Sequence, residues 1–162
     1  VGGGLSIDYN NPLENMYPEF KSFFKIYNDN IKLRKNQKIH FELGRSIVGQ
    51  CGFLISRVLY EKESFNNHFI ILDSGMNNLI RPALYNASHK IINISSPLSS
   101  IKNYNIVGPL CESSDTFAEN YPLLESKRGD MISICSAGAY GESMSSNYNL
   151  RDDIKSYFSD TI

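Results

Sequence analysis

Residues 108–115 read Gly-Pro-Leu-Cys-Glu-Ser-Ser-Asp, which sets a thiol beside a carboxylate, Cys111 and Glu112, just after a turn-forming Gly108-Pro109. A thiol titrates near the working pH and can deliver a proton, and a carboxylate beside it can hold an ammonium group. Neither role makes a nucleophilic triad. Taken alone, the octapeptide reads more readily as a small buried thiol followed by a surface acid.

Other segments carry comparable potential. Gly2-Gly3-Gly4 permits close backbone approach to a phosphate because no Cβ intervenes, although an isolated glycine run is more often a plain tight turn. Glu42-Leu43-Gly44-Arg45 places two opposite charges around a glycine, with Glu42 on the polar side of an alternating stretch, where a solvent-facing or ion-paired role is ordinary. Arg81 and Tyr85 lie on either side of Pro82 in Arg-Pro-Ala-Leu-Tyr. A planar guanidinium suits a carboxylate and a phenol adds a further donor; the bland alternative is a surface arginine with a half-buried tyrosine. Tyr140 sits in Gly138-Ala139-Tyr140-Gly141, where small neighbours leave its ring room to lean over a ligand. His40, His68 and His89 read as structural hydrogen bonders, and no spacing suggests a metal site.

These residues need a scaffold, and the bulk numbers allow one. The chain has 162 residues, 41% hydrophobic and 20% charged, with a formal charge of −1. It can bury a core, and its scattered Lys and Arg argue against nucleic acid or an anionic membrane as partner. Cys51, Cys111 and Cys135 are widely spaced with no CxxC pair, which points to a reducing compartment rather than a disulfide framework. No apolar run approaches the roughly 20 residues that span a bilayer. A cytoplasmic location is the expectation.

Apolar residues at Phe20, Phe23, Phe24, Tyr27 and Ile31 predict an amphipathic helix over 17–36, with Pro18 in its first turn. Alternation over 38–43 predicts a strand. That order of loop, helix, strand and loop fits the last βα segment of a parallel (β/α)8 barrel, whose ligand groups cluster at strand C-termini. From Gly52 onward the texture is β-rich, with strands expected over 53–60, 67–73, 90–94, 104–110 and 130–136. Close spacing without intervening helices predicts an antiparallel β-barrel or sandwich. The boundary is placed between Ser46 and Gly52, giving an α/β segment over 1–48 and an all-β domain over 49–162.

In this order and at these separations, the glycine run, Glu42-Leu43-Gly44-Arg45, residues 73–85 (DSGMNNLIRPALY), residues 108–115 and residues 138–149 (GAYGESMSSNYN) resemble the diaminopimelate decarboxylases. These are pyridoxal-phosphate enzymes of the alanine-racemase-like fold type. The resemblance covers nearly the whole chain. It implies decarboxylation of meso-diaminopimelate to L-lysine and CO2, the final step of lysine biosynthesis. Gly2, Gly3 and Gly4 would then form the cofactor-phosphate loop, and Glu42 would hold the pyridine nitrogen protonated. Leu43 stands where the family usually has proline, which loosens the turn but leaves both charges and Gly44 in place. Gly44 and Arg45 would meet cofactor phosphate and substrate, and Tyr140 would touch both cofactor and substrate.

On the same footing Arg45, Arg81 and Tyr85 would face the distal carboxylate of diaminopimelate. Cys111 would be the proton donor and Glu112 the reader of the distal ammonium, both reaching into the partner subunit of a homodimer with shared active sites. Residues 143–149 are assigned packing and turn roles. No segment resembles the context of the cofactor-bearing lysine, so the sequence reads as a C-terminal fragment, inactive by itself. Two alternatives remain: an ornithine or arginine decarboxylase of the same fold type, and a catalytically inactive β-domain with a regulatory or assembly role. Glu112 and Arg81 argue against the first, since those relatives usually pair the cysteine with Asp and lack the Arg-Pro-x-x-Tyr clamp.

Overall fold

In the computed structural model, which describes residues 1–65 and 67–161, the aromatic spacing of the N-terminal region folds into helix α1 (Phe20–Asn30). This is shorter than the 17–36 read from periodicity. Pro18 stays outside the helix, and the Glu19 carboxylate caps it by accepting from the backbone N–H groups of Lys21 and Ser22. At the other end Ile31 takes up extended backbone, where its β-branched side chain is at ease. No α1 residue is fully buried; Phe23, Phe24 and Tyr27 instead gather around Phe41, with ring centroids 4.9–5.9 Å apart.

Residues 38–43 have the expected alternation but do not form a strand. A ladder needs a neighbour, and among the described residues theirs is Val1: its terminal amine donates to the His40 carbonyl at 2.7 Å, and Glu42 N–H donates to the Val1 carbonyl at 3.0 Å. Those two bonds form a single bridge of the parallel kind. A one-turn helix α2 (Arg45–Val48) follows.

The rest of the chain builds one sheet from β1 (Leu54–Ser64), β2 (Asn67–Leu72), β3 (Ile91–Asn93), β4 (Ile101–Val107), β5 (Thr116–Leu124) and β6 (Met131–Ile134). The strand order is β3-β6-β1-β2-β4-β5. The start of β1 shows why it is a strand: Leu54, Ser56 and Val58 are buried while Ile55 and Arg57 are exposed. The interior packs Val58, Ile70, Leu72, Ile106, Ile132 and Ile134, all almost wholly removed from water. Each such side chain contributes about 1.5–3 kcal/mol relative to exposure.

The fully antiparallel sheet expected from sequence is corrected at one ladder. β2 and β4 run parallel, Phe69–Ile71 against Asn105–Val107, so the sheet is mixed. Parallel neighbours require a crossover. Here it contains helix α3 (Arg81–Tyr85), which the strand-rich texture does not predict. β5 is also absent from the sequence reading, because Pro122 interrupts it; as the edge strand it tolerates a residue with no N–H. The sheet nearly closes on itself. At the gap between β3 and β5, Ile91 N–H donates to the Tyr121 hydroxyl at 2.9 Å. Nearby, Asn93 Nδ2 donates to Ser126 and Asp130, both at 2.8 Å.

Candidate active site

Helix α3 turns a sequence spacing into a surface. Pro82 lies in its first turn, where a missing N–H is harmless, and Asn86 ends it in the left-handed conformation at φ 51°. Arg81 and Tyr85 are thus one turn apart on the same face. The Arg81 guanidinium lies 5.6 Å from the Tyr85 ring centre and 6.0 Å from that of Tyr140. Arg81 is 6% exposed, and its terminal nitrogen makes a long 3.4 Å bond to the Tyr9 hydroxyl. Its Nε has no hydrogen-bond partner among the described residues.

His89 stands beside it, 4% exposed, with Nδ1 2.8 Å from the Cys135 carbonyl and its ring edge-on to Tyr9 at 5.2 Å. Nδ1 must carry the proton to bond a carbonyl, which leaves Nε2 as a buried acceptor without a partner. Burial pushes the His89 pKa below its usual 6.5; the Cys135 carbonyl opposes this, and the nearby charges of Arg81 and Arg45 add to the lowering. His89 is therefore neutral at physiological pH. Arg45, at the start of α2, also has a buried Nε with no partner. Buried polar atoms are ordinarily bonded, so this cluster of guanidinium groups is arranged for a planar anion.

Tyr140 reaches the cluster through a close approach of two chain segments. Gly138 N–H donates to the Gly49 carbonyl at 3.0 Å and Ala137 N–H to that of Gly52 at 2.8 Å. A Cβ on Gly138 would overlap the Val48 carbonyl oxygen, so only glycine allows the contact. Two residues later Tyr140 takes a positive φ of 67°, and its hydroxyl lies 3.8 Å from where a Gly44 side chain would begin. Such backbone strain in a non-glycine residue often marks a functional position. Tyr140, Gly44, Arg45, Arg81 and Tyr85 are thereby assembled from three separate parts of the chain.

The glycine run is open. A Cβ on Gly2 or Gly4 would meet nothing within 4 Å, and one on Gly3 would lie 4.0 Å from the Glu42 carbonyl. Gly4 has φ +113°, which side-chain-bearing residues rarely adopt. Glu42 is exposed and Leu43 half-buried. An open, side-chain-free backbone beside Glu42 suits an anionic group such as a phosphate.

Cys111 and Glu112 lie on an exposed loop after β4. Glu112 accepts a hydrogen bond from the Tyr148 hydroxyl. That bond, then desolvation, then the neighbouring charges of Glu112 and Cys111 raise the pKa of Tyr148, so the phenol remains a donor. The loop faces α3 across a cleft of about 460 Å3 lined by Ser113, Ser114, His89 and Pro82. The bonds and ring contacts of Glu112 and Arg81 tie them to separate groups, Glu112 to Tyr148 and Arg81 to Tyr9, Tyr85 and Tyr140.

Sequence reasoning missed three residues here. Tyr9 carried no signal, while His89, read as a structural hydrogen bonder, does bond the Cys135 carbonyl. Tyr148 falls in the segment assigned to packing, yet it holds Glu112. Asp115 closes the octapeptide as its last residue and is 3% exposed, which a short polar run does not reveal.

Comparison with known proteins bears on this arrangement. Residues 11–138 match the family model of the pyridoxal-dependent decarboxylase C-terminal sheet domain. The whole chain is 54% identical over 162 residues to a diaminopimelate decarboxylase of Bacteroides thetaiotaomicron, spanning 42% of that relative. A crystal structure from Aquifex aeolicus superposes with a TM-score of 0.80 at 42% identity, over 93% of this chain and 36% of that one. A crystal structure of diaminopimelate decarboxylase from Helicobacter pylori, complexed with L-lysine, superposes with a TM-score of 0.75 at 43% identity, over 93% and 36%. The chain therefore spans well under half the length of these relatives.

Proposed function

Since the chain belongs to the pyridoxal-dependent decarboxylases, as their C-terminal sheet domain, we propose that it completes the active site of a diaminopimelate decarboxylase. In this reading residues 49–162 are the β-domain that caps a cofactor-binding barrel. The observation that carries the proposal is the buried Arg81, with an unpartnered Nε beside the Tyr85 and Tyr140 rings, together with the half-buried Arg45, whose Nε is also buried and unpartnered among the described residues. A substrate with a second carboxylate satisfies Arg81, and a diamine-forming substrate without one leaves that buried charge poorly paired.

The glycine backbone, Arg45 and Tyr140 hold the cofactor phosphate, and Glu42 keeps the pyridine nitrogen protonated. When bound there, pyridoxal phosphate would supply an electron sink for the α-carbon. Arg81, Tyr85 and Arg45 fix the distal carboxylate, which orients the α-carboxylate for departure. The Cys111 thiol of one chain then gives its proton to the α-carbon held by the other, while Glu112 reads the distal ammonium. The products are L-lysine and CO2.

The test is CO2 release by the full-length protein from diaminopimelate, ornithine and arginine. Diaminopimelate is expected to turn over faster by at least about 100-fold. Faster turnover of ornithine would overturn the assignment. The shared site is tested by mixing Cys111→Ala chains with chains that lack the cofactor lysine: activity returns if each site draws on two chains.

A further inference from the structure

We propose that Asp115 is a positioning residue that sets the Cys111-Glu112 turn, and that its effect is exerted in the partner chain's active site; this rests on the shared-site reading above. The Asp115 carboxylate is buried and fully engaged. Oδ1 accepts from Met76 N–H at 2.6 Å and Oδ2 from Leu110 N–H at 2.7 Å. Both are short, charge-assisted bonds, the kind that offset the desolvation of a buried carboxylate. The Asp115 backbone adds two more: its N–H donates to the Glu112 carbonyl at 3.1 Å, and its carbonyl accepts from Gly108 N–H at 2.9 Å.

One residue therefore grips the loop at Gly108, Leu110 and Glu112, on both sides of Cys111. The glycines around it are shaped to that carboxylate. A Cβ on Gly108 would overlap both of its oxygens, and one on Gly75 would lie 3.0–3.1 Å from them. Cys111 and Glu112 point outward, and Glu112 has one further anchor in Tyr148. Asp115 also bonds the segment leading to Arg81, through Met76. Its loss has two possible routes to activity: through Arg81 in its own chain, or through Cys111 in the partner's site. The two side-chain bonds that a substitution removes go one to each route, and the geometry favours the second because Leu110 adjoins Cys111 directly, whereas Met76 lies five residues before Arg81.

The experiment uses full-length holoenzyme with Asp115→Ala, Asp115→Asn and Gly108→Ala. A thiol displaced by about 1 Å lowers kcat on the order of 10–100-fold. KM for diaminopimelate is expected to rise as well, because Glu112 shares the turn, while cofactor absorbance and dimer mass hold. Asp115→Asn keeps one acceptor oxygen and is expected to fall between wild type and Asp115→Ala. The decisive readout is mixing with chains lacking the cofactor lysine. The mixed dimer then contains one site with an intact lysine from the Asp115→Ala chain and an intact loop from its partner, and that site is expected to turn over as wild type.

No recovery, under conditions where Cys111→Ala chains do recover, would show that Asp115 acts within its own chain and would overturn the proposal. Failure of both mixtures sinks the shared-site reading and this inference with it. Should Asp115→Ala not fold, Asp115→Asn and Gly108→Ala enter the same mixing experiment. Dissociated dimers in both would also refute the positioning role.

Discussion

Replacing Arg81 by methionine separates a binding arginine from a structural one, because the two predict opposite changes in stability. In the folded protein this guanidinium is 6% exposed, has an unpartnered Nε, and makes a single long bond to Tyr9. Loss of a buried charge-assisted contact to the substrate carboxylate costs about 2–5 kcal/mol. At 1.36 kcal/mol per decade, kcat/KM for diaminopimelate falls about 30- to 5000-fold. Stability moves the other way or not at all. An apolar side chain of similar volume in place of a poorly paired buried charge is often stabilising by about 1–4 kcal/mol. The contacts with Tyr85 and Tyr140 offset about 0.5–2 kcal/mol of that. At about 2–4 °C per kcal/mol, the substrate-free melting temperature is unchanged or rises by a few degrees. Steady-state CO2 release and thermal melts of the full-length holoenzyme measure both quantities. Unchanged kcat/KM, or a melting temperature lowered by several degrees with loss of cofactor absorbance, would refute the reasoning and make Arg81 a framework residue.

Tyr148→Phe removes the hydroxyl that holds Glu112, so KM for diaminopimelate is expected to rise about 3–10-fold with kcat within about twofold, and an unchanged KM would count against the contact. His89 is held below 6.5 by burial, so on acidification the unfolded chain takes up its proton first. The stability from its neutral form is complete above pH 6.5 and is lost as pH falls toward the folded value. Melting temperature is expected to drop as the pH is lowered below 6.5. His89→Asn, which keeps a donor for the Cys135 carbonyl but does not titrate, is expected to flatten that slope; an unaltered slope would assign the acid sensitivity elsewhere.

Local chemistry was legible in the chain wherever it depends on residue type and short spacing. β-rich runs between turn-forming clusters placed most of the strands, whereas alternation alone over 38–43 did not make one. The aromatic spacing located α1, but not its ends, which Glu19 and Ile31 fix by capping and backbone conformation. The glycine run, Glu42 to Arg45, Arg81, Tyr85, Cys111, Glu112 and Tyr140 stood out because few arrangements call for those types in that order.

Tertiary structure decided what no local pattern encodes. β2 and β4 run parallel because the intervening chain crosses over, and β5 survives Pro122 because it lies on an edge. Direction and edge position belong to the whole sheet, so no window of sequence contains them. The same holds for the buried polar residues. Asp115, His89, Tyr9 and Tyr148 look ordinary in sequence and acquire their roles from segments 39, 46, 72 and 36 residues away. The sequence by itself determined which groups can do chemistry. Which of them meet, and which are left buried with unsatisfied hydrogen-bonding capacity, depended on long-range packing, because burial and pairing are properties of the folded neighbourhood rather than of the residue.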